Sequence, residues 1–256
     1  MLNLENMPQI GLAFLAAVVA GVLNAVAGGG SIVAFPTLVW LGIPAIEANV
    51  TNAVALWPGG LSGTWGFRRE FTNANRWYLW LAIPSLLGGG LGAVLLLHTP
   101  PHLFKAMAPY LVLGATIILA FQRQVRTDEV CRVAAPSKSR VLVGLAITFG
   151  MAIYGGYFGA GLGILLLVAL GLIGLSDLNE KNGIKNLYAL AIKGIAVLYF
   201  AFAGRVVWGA AIPMAIGALG GGWLGAALQY RIGQPTMRRV ILAIGFGMTV
   251  ASFLGM

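Results

Sequence analysis

The chain has 256 residues, 59% of them hydrophobic and only 9% charged, with a mean hydropathy of +0.89 and a net charge of +9. A soluble domain carries about 25% charged residues, so this composition excludes a water-covered globule and indicates an all-α integral membrane protein. The basic excess reads as Lys and Arg gathered in cytoplasmic loops, not as a nucleic-acid surface.

No charge occurs between Glu5 and Glu47. That run is about twice the ~20 residues a helix needs to span a bilayer, so it holds two segments. The N-terminus has Glu5 and no Lys or Arg, which suits a retained helix over 8–27 better than a signal peptide. A transmembrane barrel would show ~10-residue alternating stretches, and none is visible. The 37 glycines and 11 prolines instead predict tightly packed, interrupted helices.

Segment one, 8–27, ends at the glycine knot Ala27-Gly28-Gly29-Gly30-Ser31. Segment two, about 31–44, stops at Gly42-Ile43-Pro44. Segment three, about 48–67, carries Thr51 and Asn52 and is closed by Arg68-Arg69-Glu70. Segments four and five run over about 77–97 and 102–121, with His98-Thr99-Pro100-Pro101 between them. A polar linker, 122–140, then divides the chain into a first transmembrane repeat, 1–121, and a second, 141–256. Its Cys131 is the sole cysteine, which excludes an internal disulfide and argues against a thiol or metal mechanism.

The second half repeats the first. Segment six, about 141–157, meets the knot Phe158-Gly159-Ala160-Gly161-Leu162, and segment seven follows to about 175. Segment eight, about 182–203, carries Lys185, Asn186 and Lys193. Segments nine and ten cover about 206–229 and 236–254. Thr51-Asn52 and Pro101 reach Lys185-Asn186 and Pro235 with one offset of 134. Segments two and seven are short for a full span. They read as broken or re-entrant half-helices that pair with segments one and six.

If each half crosses five times and the linker is cytoplasmic, the inner loops hold 13 of the 16 Lys and Arg. The outer loops hold only Lys105 and Arg205, and Lys193 lies within a segment. This bias places both termini outside. An odd number of crossings makes the two five-segment repeats antiparallel, the inverted arrangement of secondary transporters.

Backbone leaving a helix inside a membrane is tolerated only beside protein or a water-filled cavity. A helix starting just after a knot presents free amide N–H groups, where an anion is favoured. Gly29, Gly30 and Ser31, and Gly159 and Gly161, are placed for this. Asn52 and Asn186 add amide donors and Thr51 a hydroxyl. Lys185 and Lys193 fall roughly on one helix face, about 80° apart after two turns. An intramembrane charge marks a functional site, and no intramembrane carboxylate accompanies it: Glu47, Asp177 and Glu180 sit at turns, the latter two as helix-capping acids. This imbalance favours anionic cargo. Trp57, Trp65, Tyr154, Tyr157, Phe158 and Tyr188 are candidates to line a path. The glycines of 88–92 and 220–225 lack polar neighbours and read as helix packing.

One enzyme reading competes. Gly60-Leu61-Ser62-Gly63 has the form seen in rhomboid-like intramembrane serine proteases, with His98 or His102 as the base. Both histidines lie in a short turn, and a twofold repeat does not resemble that architecture. No H-E-x-x-H, C-x-x-C or Walker pattern occurs, so the sequence shows no catalytic residues, metal site or cofactor.

Together these stretches resemble the sulfite exporter TauE/SafE family of membrane transporters. The resemblance is carried by Ala27 to Ser31, Val50-Thr51-Asn52, Pro58 to Gly63 with Arg68-Arg69, Gly155 to Gly163, Gly171 to Glu180, Lys185-Asn186 and Gly220 to Ala226. It implies a multi-pass inner-membrane permease exporting small sulfur-containing anions, such as sulfite or sulfoacetate, by alternating access. Sulfate, thiosulfate or a carboxylate is the alternative cargo. H+ or Na+ as a coupling ion and a homodimer as the assembly stay open. Lys193 departs from the neutral polar residue expected there, which would suit a more highly charged anion.

Overall fold

In the computed structural model the described residues are 7–66, 81–121, 138–172, 178–232 and 234–255. They form ten helices and no strand. The first half contributes α1 (Met7–Ala27), α2 (Ser31–Trp40), α3 (Ala45–Gly66), α4 (Ala82–His98) and α5 (Pro101–Phe121). The second contributes α6 (Lys138–Tyr157), α7 (Leu162–Leu172), α8 (Leu178–Phe202), α9 (Trp208–Ile232) and α10 (Gln234–Gly255). The linker residues 122–137, the charged loop at 67–76 and Asp177 lie outside the described residues.

The chain is an integral membrane protein. Helices α1, α5 and α8 each contain a stretch long and apolar enough to cross a bilayer. Side chains that a soluble protein would bury face outward, among them Leu12, Leu15 and Val19 on α1 and Ile212, Ile216 and Trp223 on α9. Buried hydroxyls bond within their own helix: Thr37 to the Val33 carbonyl, Ser85 to Leu81, Thr116 to Val112 and Thr249 to Gly245. Such bonds satisfy polar groups where no water is available.

Length decides what segments two and seven are. Helices α2 and α7 have 10 and 11 residues, so each rises about 15 Å. That is half of a hydrocarbon core of about 30 Å. Neither spans as a helix. Each packs against the helix before it and the helix after it.

The packing partners exchange when the halves are exchanged. Helix α1 lies along α9, and α6 lies along α4. Both pairs run parallel: Phe14, Val18 and Val22 meet Gly217, Gly221 and Gly225 in order, as Phe149 and Ile153 meet Gly88 and Gly92. Backbone approaches backbone closely enough that a Cβ would collide, so the glycine runs in α4 and α9 serve helix packing as expected. Helix α3 crosses α8 antiparallel, with Gly60 against Leu190 and Trp57 against Gly194. Helix α5 crosses α10 antiparallel, through Tyr110 on Phe253 and Thr116 on Thr249.

The two hairpins meet through aromatic edges. Phe35 of α2 stands edge-on to Phe158 of the second knot at 5.3 Å and to Phe104 of α5 at 6.2 Å. Phe104 in turn meets Tyr157 at 5.8 Å. These rings belong to a core that also holds Leu38, Ile46, Val50, Phe200 and Met214.

Candidate functional site

The first knot begins where Gly28 turns left-handed, with φ 73°. Its N–H still donates to the Asn24 carbonyl, and the Asn24 side chain accepts from Gly30 N at 3.1 Å. The side chain therefore caps an amide at the start of α2. The second knot needs two left-handed glycines, Gly159 and Gly161, both with φ 72°. Here the capping runs the other way: the Tyr154 hydroxyl donates to the Ala160 carbonyl at 2.7 Å.

The knots touch. Gly163 Cα lies 3.5 Å from the position a Gly28 Cβ would take. Helix α8 closes over the second knot and brings both lysines to it. The Lys193 Cε is 3.5 Å from the Cβ position of Gly159, and the Lys185 Cδ is 3.7 Å from that of Gly163. Lysine stems thus pack where only hydrogen stands on the backbone.

Lys193 also lines a small cavity with Ser31, Asn49, Ala53, Leu56, Ala196 and Phe200, closed by the backbone of 155–158. The space is about 10 Å³, room for roughly one water. Anything as large as a sulfonate enters only when the helices part. Among the described residues no carboxylate lines this cavity, and Lys193 brings an ammonium to it.

The predicted residues do not form one cluster. Ser31, Lys193 and Gly159 gather at the cavity, and Gly29 and Gly30 lie buried beside it in the first knot. Thr51 is fully buried and accepts from Val207 N at 3.0 Å, which ties α3 to the α8–α9 connection. Gly161 packs near Ala115 of α5. The Trp57 indole donates to the Leu190 carbonyl at 3.1 Å and marks the α3–α8 crossing. Asn52 precedes Trp57 by five residues and Asn186 precedes Leu190 by four. On antiparallel helices this puts the two amides on opposite sides of the crossing, about 13 Å apart along the axis. Lys185 and Lys193 are likewise separated by about 12 Å of helix.

Two residues were missed. Asn49 shares the cavity, and Asn24 caps the first knot. Each is a lone amide in an apolar span, three or four residues from a feature already singled out. That spacing on a helix was the available clue. Asn52 is 1% exposed, and neither its Nδ2 nor its Oδ1 has a partner; Asn49 is 2% exposed, and its Oδ1 has none. Buried polar groups are almost always satisfied, so these orphans stand out against the satisfied hydroxyls around them.

The family model described as Sulfite exporter TauE/SafE matches residues 13–252. Among curated proteins, the chain is 27% identical to a probable membrane transporter protein of Haemophilus influenzae, over 94% of this chain and 92% of that one. It is 26% identical to the probable membrane transporter protein ORF9 of a Sinorhizobium species, covering 93% and 89%. It is 25% identical to the probable membrane transporter protein YfcA of Escherichia coli K12, covering 92% and 86%. No solved structure matches it significantly.

Proposed function

Since the chain belongs to the sulfite exporter TauE/SafE family of membrane transporters, and is no enzyme, we propose that it is a secondary exporter of small sulfur-containing anions. Sulfite and sulfoacetate are the cargo of first choice. The anion binds between two inverted halves, which rock around it to open the site to one side and then the other.

The observation that carries this reading is Lys193. An ammonium within an apolar span sits on the second knot, shares a cavity with Ser31 of the first, and meets no carboxylate there. A charge in that setting is costly without a partner, and an anion supplies one. The amino ends of α2 and α7 begin at the same knots and favour negative charge. Lys185, against Gly163, adds a second cation along the path. Inversion is supported by the antiparallel crossings of α3 with α8 and α5 with α10, which are the repeat mates. An inner-membrane location with the 122–140 linker inside and both termini outside rests on the charge bias. H+ or Na+ coupling and a homodimer belong to the same reading.

Counterflow in proteoliposomes tests it. Vesicles loaded with unlabelled sulfite should accumulate labelled sulfite, and sulfoacetate should compete more strongly than sulfate. Absence of exchange with all three, from protein shown to be inserted, would refute anion transport.

A further inference from the structure

Asn49 offers information about cargo that the cationic groups do not. Its Nδ2 donates to the Tyr157 carbonyl at 2.8 Å. A carbonyl only accepts, so the amide cannot be turned over without losing this bond. The orientation is therefore set: Nδ2 faces the second knot and Oδ1 is the remaining polar atom. That Oδ1 has no partner, on a residue 2% exposed that lines the cavity. The cavity thus presents a cation, Lys193, the Ser31 hydroxyl and one locked amide acceptor. Tyr157 does not compete for that acceptor from its ring, because its hydroxyl pairs with Thr99 Oγ1 at 3.2 Å.

A fully deprotonated oxyanion brings only acceptors. It satisfies the ammonium and leaves Asn49 Oδ1 facing another lone pair. An anion that also carries an O–H satisfies both. A site built around a buried acceptor disfavours the analogue that lacks the donor, because the acceptor is then left buried and unpaired. Resting on the anion-transport reading above, we propose that Asn49 determines specificity: its Oδ1 accepts a hydrogen bond from the cargo. Among the sulfur anions proposed above, the site then favours a singly charged one that bears a hydroxyl, such as hydrogensulfite or a hydroxylated sulfonate, over a fully deprotonated one such as sulfoacetate. This differs from reading Lys193 as a device for more highly charged anions: the discriminating feature is a donor, not extra charge.

The test compares two stable sulfonates of one charge, 2-hydroxyethanesulfonate and ethanesulfonate, as inhibitors of labelled sulfite counterflow at one pH. The full-length protein in proteoliposomes should be inhibited about tenfold more potently by the hydroxylated anion, the factor expected for one hydrogen bond to a buried acceptor. In Asn49→Leu, near in size but without an acceptor, the two potencies should come within about twofold. Equal potency on wild type, with sulfite counterflow intact, overturns this inference alone and leaves Asn49 Oδ1 to a resident water or to Lys193. A tenfold preference that survives Asn49→Leu overturns it as well, because the acceptor is then elsewhere. Loss of sulfite counterflow from wild type overturns both readings together. If Asn49→Leu fails to insert, the wild-type ratio decides.

Discussion

The two glycine knots each follow a long helix and precede a short one, and they break their helices by different means. The first uses one left-handed glycine and a side chain, Asn24, that accepts from an amide. The second uses two left-handed glycines and a side chain, Tyr154, that donates to a carbonyl. The surroundings differ in the same sense. The stems of Lys193 and Lys185 pack on Gly159 and Gly163 at the second knot, and the first knot meets Lys193 only across the cavity at Ser31. The comparison teaches that two similar helix breaks can gather different side chains: lysine stems pack on the second, and the first brings Ser31 to the cavity.

The largest expected difference between the knots is in transport. Lys193→Ala should lower sulfite counterflow more than about tenfold, since hydrogen bonds to charged groups are among the stronger ones. Ser31→Ala, at the first knot, should lower it by less than about fivefold. Equal losses would mean that the charge asymmetry has no functional counterpart. Asn186→Ala should also lose transport while the protein still inserts; wild-type flux from both Asn186→Ala and Lys193→Ala would sink the site assignment.

Next in size is a difference in stability. Gly28→Ala and Gly159→Ala both force a left-handed alanine, at about 1–2 kcal/mol. At Gly28 the nearest atom stands 3.5 Å from the new Cβ, whereas at Gly159 the Gly155 carbonyl oxygen stands at 2.6 Å. Gly159→Ala should therefore lower the thermal midpoint in detergent clearly more than Gly28→Ala. The reverse order would mean that the second knot relaxes more freely than its packing indicates.

Capping gives a smaller contrast. Tyr154→Phe leaves the Ala160 carbonyl without its donor, and Asn24→Ala leaves the Gly30 amide without its acceptor. Each should cost about 1–3 kcal/mol, read as a fall in the unfolding midpoint. The smallest effect concerns Arg205, which pairs with Glu47 at 3.3 Å in a half-exposed setting. Arg205→Gln should change stability by less than about 1 kcal/mol, because water and salt already screen the pair. A larger loss would make this link between α3 and the α8–α9 connection part of the transport cycle.

Membrane residence, the ten helices of the described residues and the two breaks were legible in the chain because each depends on local chemistry. A charge is costly in lipid wherever it falls, and a glycine permits a left-handed turn regardless of its neighbours. Lys193 and Ser31 could be singled out for the same reason. The membership of one cavity was not legible in this way. Each residue turns a helix by about 100°, so Asn49 and Asn52 are both candidates until the neighbours are known. The antiparallel crossing at Trp57 and Leu190 then separates Asn52 from Asn186, which looked like partners along the chain. Asn49 became visible only through its bond to Tyr157, 108 positions away. Local energies specify where the backbone stops being helix. Which polar atoms face each other across the gap depends on how two distant helices cross, and no local pattern encodes that register.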